Sequence, residues 1–194
     1  MSNNDEFPKP FDLEELNTAI NEMKIGKAPG LDKMFTEFFK HFGLSARNWL
    51  VSFFNEISSQ NKLPKFFKRA KVISVAKPGK DGTDASHFRP ISLSSITLKI
   101  VKRLILNRIQ PKINQIVPTQ QASFRPHRSC GEQVLALTTH IEKGFQIRKK
   151  SFAMFIDLTA AYDTVWKHDL LFKLLSVIPC RKIINLIDNM FFSE

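Results

Sequence analysis

The sequence predicts an α+β fold, rich in helix and carrying one β-hairpin. Three observations lead there. Apolar residues recur at helical spacing before residue 60 and again after residue 95. Two β-rich runs, Val72–Val75 and Phe88–Leu93, flank a Gly- and Pro-containing connection. A single apolar run, Phe152–Ile156, ends in the carboxylate of Asp157. The order is helices, hairpin, helices, strand, helices, which segregates the two structure types as α+β chains do. No internal repeat, low-complexity tract or flexible linker interrupts it.

Residues 12–24 read as the first helix. Asp12 and Glu15 stand at capping-box spacing, and Leu13, Leu16, Ala19, Ile20 and Met23 share one face. The Lys24–Gly30 stretch breaks it into a loop. Phe35, Phe38, Phe39 and Phe42 mark a second, short helix. Trp49, Leu50, Phe53, Phe54 and Ile57 mark a third, which stops before Pro64. These aromatic stripes fit core packing better than base stacking. The hairpin follows, with a long tip flanked by Lys77, Lys80 and Arg89. Ser94 or Ser95 is placed to cap a helix over 96–109, with Ile96, Ile100, Val101, Leu104 and Ile105 inward and Lys99, Lys102, Arg103 and Arg108 on the other face. An irregular stretch runs from Pro118 to Arg128. Ser129 and Glu132 then open a long helix at capping-box spacing. A strand over 152–157 and helical segments over 168–192 complete the chain.

Charge is unevenly placed. The net charge is +11. Between Lys62 and Lys112 stand 13 Lys and Arg against 2 Asp, while the remainder carries 16 of each sign. All of the excess therefore sits in one segment. Such a concentration attracts polyanions: nucleic acid, triphosphates or an anionic surface. Cys130 and Cys180 show no metal-ligand spacing, and free thiols fit a reducing, intracellular compartment in nucleus or cytoplasm. The polar, acidic start, Met1–Glu6, has no signal-peptide character. No apolar run approaches a membrane span, so no membrane partner is expected.

Two places carry potential chemistry. An apolar strand that delivers Asp157 at its tip would set a carboxylate in a cleft, where hard cations such as Mg²⁺ bind with substrate phosphates. One Asp is too few for two-metal phosphoryl transfer. The same residue also fits a plain turn cap before 158–165. Lys77 and Arg89, at the two ends of the hairpin tip, suit a triphosphate. Lysines on an edge hairpin equally guard against aggregation. Gly79-Lys80 lacks P-loop spacing, and no zinc ladder, HExxH, GxSxG or dinucleotide fingerprint occurs. The five histidines are scattered.

Taken in order, the blocks resemble the reverse transcriptase of non-LTR (LINE-type) retrotransposons. Lys27-Ala28-Pro29-Gly30-Leu31-Asp32 looks like that family's KAPGxD loop. Asn55, Leu63-Pro64, Ala70-Lys71-Val72-Ile73 and Lys77-Pro78-Gly79-Lys80 follow. Phe88-Arg89-Pro90-Ile91-Ser92-Leu93 is similar to the RPISL block, with Lys99-Ile100 and Asn107-Arg108 after it. Gln121-Ala122-Ser123-Phe124-Arg125-Pro126 resembles the QxGFRPxRS block. The run from Asp157 to Trp166 looks like polymerase motif A.

The resemblance implies a right-hand polymerase, with an N-terminal extension and fingers over 1–150 and the start of the palm over 151–194. It implies that Asp157 binds catalytic Mg²⁺ with the Leu158 carbonyl nearby, and that Tyr162 blocks a ribose 2′-OH. It implies that Lys77 and Arg89 meet an incoming dNTP and that Arg125 shapes the template channel. Lys99, Lys102, Arg103 and Arg108 would then face an RNA template and DNA primer. Two positions depart from the pattern: Ser123 stands where Gly is usual, and His127 where Gly is common. No Asp-Asp pair occurs in the chain, so the later (Phe/Tyr)-x-Asp-Asp motif is absent. The expectation is a fragment inactive alone, which self-associates through an incomplete palm; the alternative is a non-catalytic nucleic-acid-binding remnant.

Overall fold

The computed structural model describes residues 9–158, 161–162 and 164–191. The chain falls into two compact units. One takes in the residues up to Gln110 and those from Lys167 on; the other is Pro111–Trp166.

The first unit begins with α1 (Leu13–Asn21), shorter than the sequence suggests because Gly26 turns the chain at φ 67° soon afterwards. Its capping box forms as expected: Glu15 N–H donates to the Asp12 carboxylate, and Asp12 N–H donates to that of Glu15. The Phe-rich segment makes α2 (Thr36–Lys40), and α3 (Leu44–Gln60) follows. Arg47 on α3 donates to the carbonyls of Lys40 and Phe42, both 2.8 Å away, and so satisfies the end of α2. Asn55 fixes the segment before α1. It accepts from Phe11 N–H at 2.6 Å and returns a bond to the Phe11 carbonyl at 2.9 Å.

The hairpin forms with the expected partners. β1 (Ala70–Ala76) pairs antiparallel with β2 (Phe88–Ser94), Val75 opposite Arg89 and Ser74 opposite Pro90. Lys77 N–H donates to the His87 carbonyl at 2.8 Å. Antiparallel ladders alternate, so Val75–Arg89 falls in the bonded phase and Ser74–Pro90 in the unbonded phase. Pro90 therefore lacks only an N–H that would point outward, and it blunts that edge. Every residue of β1 is exposed, so the ribbon stands clear of the core.

Ser95 is the cap of the next helix: its Oγ accepts from Leu98 N–H at 3.1 Å. That helix, α4 (Ile96–Ile116), runs past the expected end and contains Pro111. Proline removes one ladder bond, and the boundary between the two units falls at that residue. Ile96, Ile100, Val101, Leu104 and Ile105 are buried, as their spacing requires. They meet a core that includes Leu16 and Ile20 of α1 and Phe54 of α3. Each such side chain stabilises the fold by about 1.5–3 kcal/mol. Near the C-terminus stand α6 (Lys167–Val177) and α7 (Arg181–Phe191), separated at Pro179. Ile184, Leu186 and Ile187 of α7 are buried, and Asn189 donates to the Asn61 carbonyl at 2.8 Å.

The second unit contains α5 (Cys130–Gln146), capped by Ser129, which accepts from Glu132 N–H. The Glu132 carboxylate lies 3.8 Å from Arg128. Residues 147–151 fold back on the end of α5, where Lys149 N–H donates to the Gly144 carbonyl at 2.8 Å. The expected strand over 152–157 does not form. Residues 151–158 have no regular structure, and Phe152 is 94% exposed. A strand is held by a neighbouring ladder, and among the described residues the only ladder is β1 with β2. Thr159, Ala160 and Asp163 of the same motif lie outside the described residues.

Arg108 closes the first unit. Its Nε and one terminal nitrogen both donate to the Glu15 carboxylate at 2.7 Å. Its terminal nitrogens also donate to the carbonyls of Lys9 and Pro10 at 2.6 and 3.0 Å. The guanidinium lies 4.1 Å from the centre of the Phe11 ring. Its hydrogen bonds hold the Glu15 carboxyl below its usual range, against a smaller opposing effect of burial. Replacing Arg108 by Ala should cost about 2–4 kcal/mol in urea unfolding, since it strands a partly buried carboxylate and two carbonyls. A depressed acid stabilises the fold fully above its unfolded pKa and loses that contribution as pH falls through the folded one. Stability should therefore fall as pH drops below the ordinary carboxylate range, and Glu15→Gln should flatten that acid limb.

Gly30 supplies a second test. A Cβ there would sit 2.7 Å from the Ser95 backbone nitrogen and 2.9 Å from the Ser94 carbonyl oxygen. Backbone cannot yield as a side-chain tip does. Gly30→Ala should lower stability by about 1–3 kcal/mol, read in the same unfolding experiment; an unchanged midpoint would show that the loop does not dock there.

Candidate functional site

The residues singled out by the sequence divide between the two units. In the first, the hairpin register puts Arg89 opposite Val75, and Lys77 lies two residues beyond Val75. Strand alternation assigns all three to one face. Arg89 is exposed. Lys77 is half-buried, and its ammonium donates to the Ser86 carbonyl at 2.7 Å. Two ammonium hydrogens remain for another acceptor. The tip is ordered by its own polar groups. Asp81 accepts from Thr83 and lies 2.7 Å from His87 Nδ1, and these bonds, Thr83 foremost, lower its pKa.

The four basic residues expected on α4 part company. Arg108 is turned into the protein and takes a structural role; its side chain is 18% exposed. Its position after Asn107 carried no sign of this, because the partners Glu15 and Phe11 stand more than 90 residues away. Lys99, Lys102 and Arg103 line a cleft of about 370 Å³. Lys24 and Lys27 enter the same cleft from the loop after α1. The sequence placed these two only in a breaker loop and a family block. Their signal was the spacing Lys-x-x-Lys ahead of Pro29-Gly30, and only folding sets it against α4.

In the second unit Arg125 donates to the Pro118 carbonyl at 2.9 Å and ties off the irregular stretch. Phe124 and His127 both sit at φ 59°. His127 is a position where the resembled block commonly has Gly, and a left-handed backbone is what glycine accepts without strain. The turn thus keeps its shape with a less suitable residue. Tyr162 packs edge-to-face on Phe124, ring centres 6.2 Å apart, so two blocks almost forty residues apart in sequence meet. Asp157 and Leu158 are exposed on irregular backbone.

Mg²⁺ is the ion the resemblance implies. Among the described residues no three His, Cys, Asp or Glu side chains gather as a metal-holding group. Asp157 offers one carboxylate, whereas two-metal sites share several. The described residues therefore do not make a Mg²⁺ site on their own, and Asp163 lies outside them. Among them, too, no helix is long and apolar enough to cross a membrane.

Comparison with known proteins agrees with the family resemblance. The family model "Reverse transcriptase (RNA-dependent DNA polymerase)" matches residues 75–193, more than half of the chain. The chain is 35% identical over 173 residues to the probable RNA-directed DNA polymerase from transposon BS of Drosophila melanogaster, covering 88% of this chain and 19% of the relative. It is 31% identical to the RNA-directed DNA polymerase from mobile element jockey of Drosophila funebris, over 87% of this chain and 19% of the relative. A probable polymerase from transposon X-element of Drosophila melanogaster matches at 28%, over 88% and 19%. The chain thus spans about a fifth of the length of these relatives. From the family match and the collinear blocks, this chain belongs to the reverse transcriptase (RNA-dependent DNA polymerase) family, in its non-LTR retrotransposon branch.

Proposed function

We propose that the chain supplies the fingers and the first part of the palm for RNA-templated DNA synthesis. The N-terminal extension and fingers would span 1–150 and the palm segment 151–194. The observation that carries this reading is the family match over 75–193, which takes in the end of β1, Lys77, Arg89 and motif A together. In it, Lys77 and Arg89 neutralise the triphosphate of an incoming dNTP, with the guanidinium giving the bidentate contact. Asp157 is one carboxylate of the Mg²⁺ site, with the Leu158 carbonyl beside it. Tyr162 faces the sugar and selects deoxynucleotides, its ring lying edge-to-face with that of Phe124. Arg125 borders the template path, and Lys99, Lys102 and Arg103 meet nucleic-acid backbone.

Primer extension tests the division of labour. The purified chain, given an RNA template, a DNA primer, dNTPs and Mg²⁺, should yield no template-dependent product, because two-metal transfer needs more carboxylates than Asp157 provides. Product from the pure chain would overturn this. Calorimetry of dNTP binding to the template–primer complex tests the fingers. Arg89→Ala should weaken triphosphate binding about tenfold, a charge-assisted bond of about 1.5 kcal/mol. Unchanged dNTP binding, with template–primer still bound, would favour the non-catalytic alternative.

Self-association belongs to the same reading. Phe152, Met154, Phe155 and Ile156 are each at least 80% exposed. Exposed apolar runs of this kind recruit other chains. Light scattering should show concentration-dependent growth that Phe152→Ser with Phe155→Ser abolishes; a clean monomer at all concentrations would count against it.

A further inference from the structure

Lys24 and Lys27 leave α1 on a loop that is held at two points. Gly26 N–H donates to the Glu37 carboxylate at 2.6 Å, and Gly30 packs directly on the Ser94–Ser95 backbone. The loop is therefore set against the start of α4 before any ligand arrives. Across the cleft from it stand Lys99, Lys102 and Arg103. Arg103 is answered by Glu22, whose carboxylate lies 3.6 Å away and also accepts from Asn107 at 3.1 Å. No carboxylate answers Lys24, Lys27, Lys99 or Lys102 among the described residues. Four lysines without an ion pair thus line one cleft, and Glu22, the carboxylate that lines it with them, is engaged by Arg103. The ammonium of Lys102 has its pKa lowered, by desolvation first and then by the Lys99 charge.

Between the charged side chains the cleft is lined by Met23, Ile96, Leu106 and one uncharged polar residue. Thr36 lines it, is 1% exposed, and its Oγ1 has no hydrogen-bond partner. Buried hydroxyls are ordinarily satisfied. An orphaned hydroxyl in the same lining as four lysines without ion pairs suits an acceptor that carries negative charge. At about 370 Å³ the space lies within the range of small-ligand sites.

We propose that this cleft is a phosphate-binding site, in which Lys24, Lys27, Lys99 and Lys102 surround one phosphate group above Thr36. The group is a backbone phosphate of a polynucleotide or a free phosphate. The first source rests on the polymerase reading above; the site itself does not. The loop backbone that carries Lys24 and Lys27 is already in place, and a polynucleotide held here would be fixed at one phosphate rather than smeared over a basic face.

Calorimetry with inorganic phosphate and fluorescence anisotropy with a single-stranded RNA oligonucleotide test it on the whole chain. Four variants are compared: Lys24→Gln with Lys27→Gln, Lys99→Gln with Lys102→Gln, all four of these together, and Thr36→Val, which keeps the buried shape. A control pair, Lys65→Gln with Lys71→Gln, removes the same charge outside the cleft. Phosphate should bind in the millimolar range, and each lysine pair should weaken it at least tenfold, with the quadruple variant little worse than either pair. Thr36→Val should weaken it several-fold without changing net charge. The same pattern with RNA identifies a backbone phosphate. The pattern with phosphate alone, and no RNA binding, keeps the site and removes the nucleic-acid reading. RNA binding that falls equally for the cleft pairs and the control pair, with no phosphate binding, keeps that reading and overturns the site. No binding of either ligand overturns the site as well.

Discussion

Arg108 makes four hydrogen bonds inside the protein and stacks on Phe11. Through them α4 is joined to α1 and to the segment that leads into it. The Glu15 carboxylate that it grips is the same one that closes the capping box of α1. One ion pair therefore sets both the start of a helix and its attachment to another. Because Arg108 is 18% exposed and Glu15 33%, water screens this pair less than a surface one. Asn55 repeats the theme with two bonds to Phe11. α1, α3 and α4 keep their relation because these polar clamps fix backbone that apolar packing alone would let slide.

The core follows from that arrangement and is confined to the first unit. Every buried hydrophobic side chain among the described residues lies there, from Phe11 to Ile187. Among the described residues of Pro111–Trp166 only Gly144 is buried, and it has no side chain to contribute. Local bonds organise that unit instead: a Ser129 cap, a loop tied by Arg125, and the fold-back on α5. Segments held mainly by such bonds sit at the low-stability end of a structure. The run that carries Asp157 is part of it. An apolar strand without a ladder neighbour has no reason to be a strand, however β-rich its residues.

Charge divides along the same lines. The segment 62–112 holds the whole excess of +11, yet its members do different work. Arg108 is spent on structure. Lys77 is partly tied to Ser86, and Arg103 is answered by Glu22. Lys99 and Lys102 remain unanswered and are joined by Lys24 and Lys27 from a region that is neutral on average. Net charge locates a ligand-attracting surface only roughly; which cations remain available depends on which have found carboxylates.

The sequence by itself determined the elements whose cause is local. Asp12 with Glu15 announced α1, Ser94 or Ser95 announced α4, Ser129 announced α5, and the paired β-rich runs announced the hairpin. Caps, alternation and turn residues act over a few positions, so they can be read in order. The collinear blocks likewise carried the family. The tertiary structure alone decided three things. It turned Arg108 inward, because its partners lie at the far end of the chain. It brought the Lys24–Lys27 loop onto α4, because Gly30 admits the Ser94–Ser95 backbone at a distance no side chain would allow. And it left 151–158 irregular, because a strand is stabilised by its neighbour and not by its own composition.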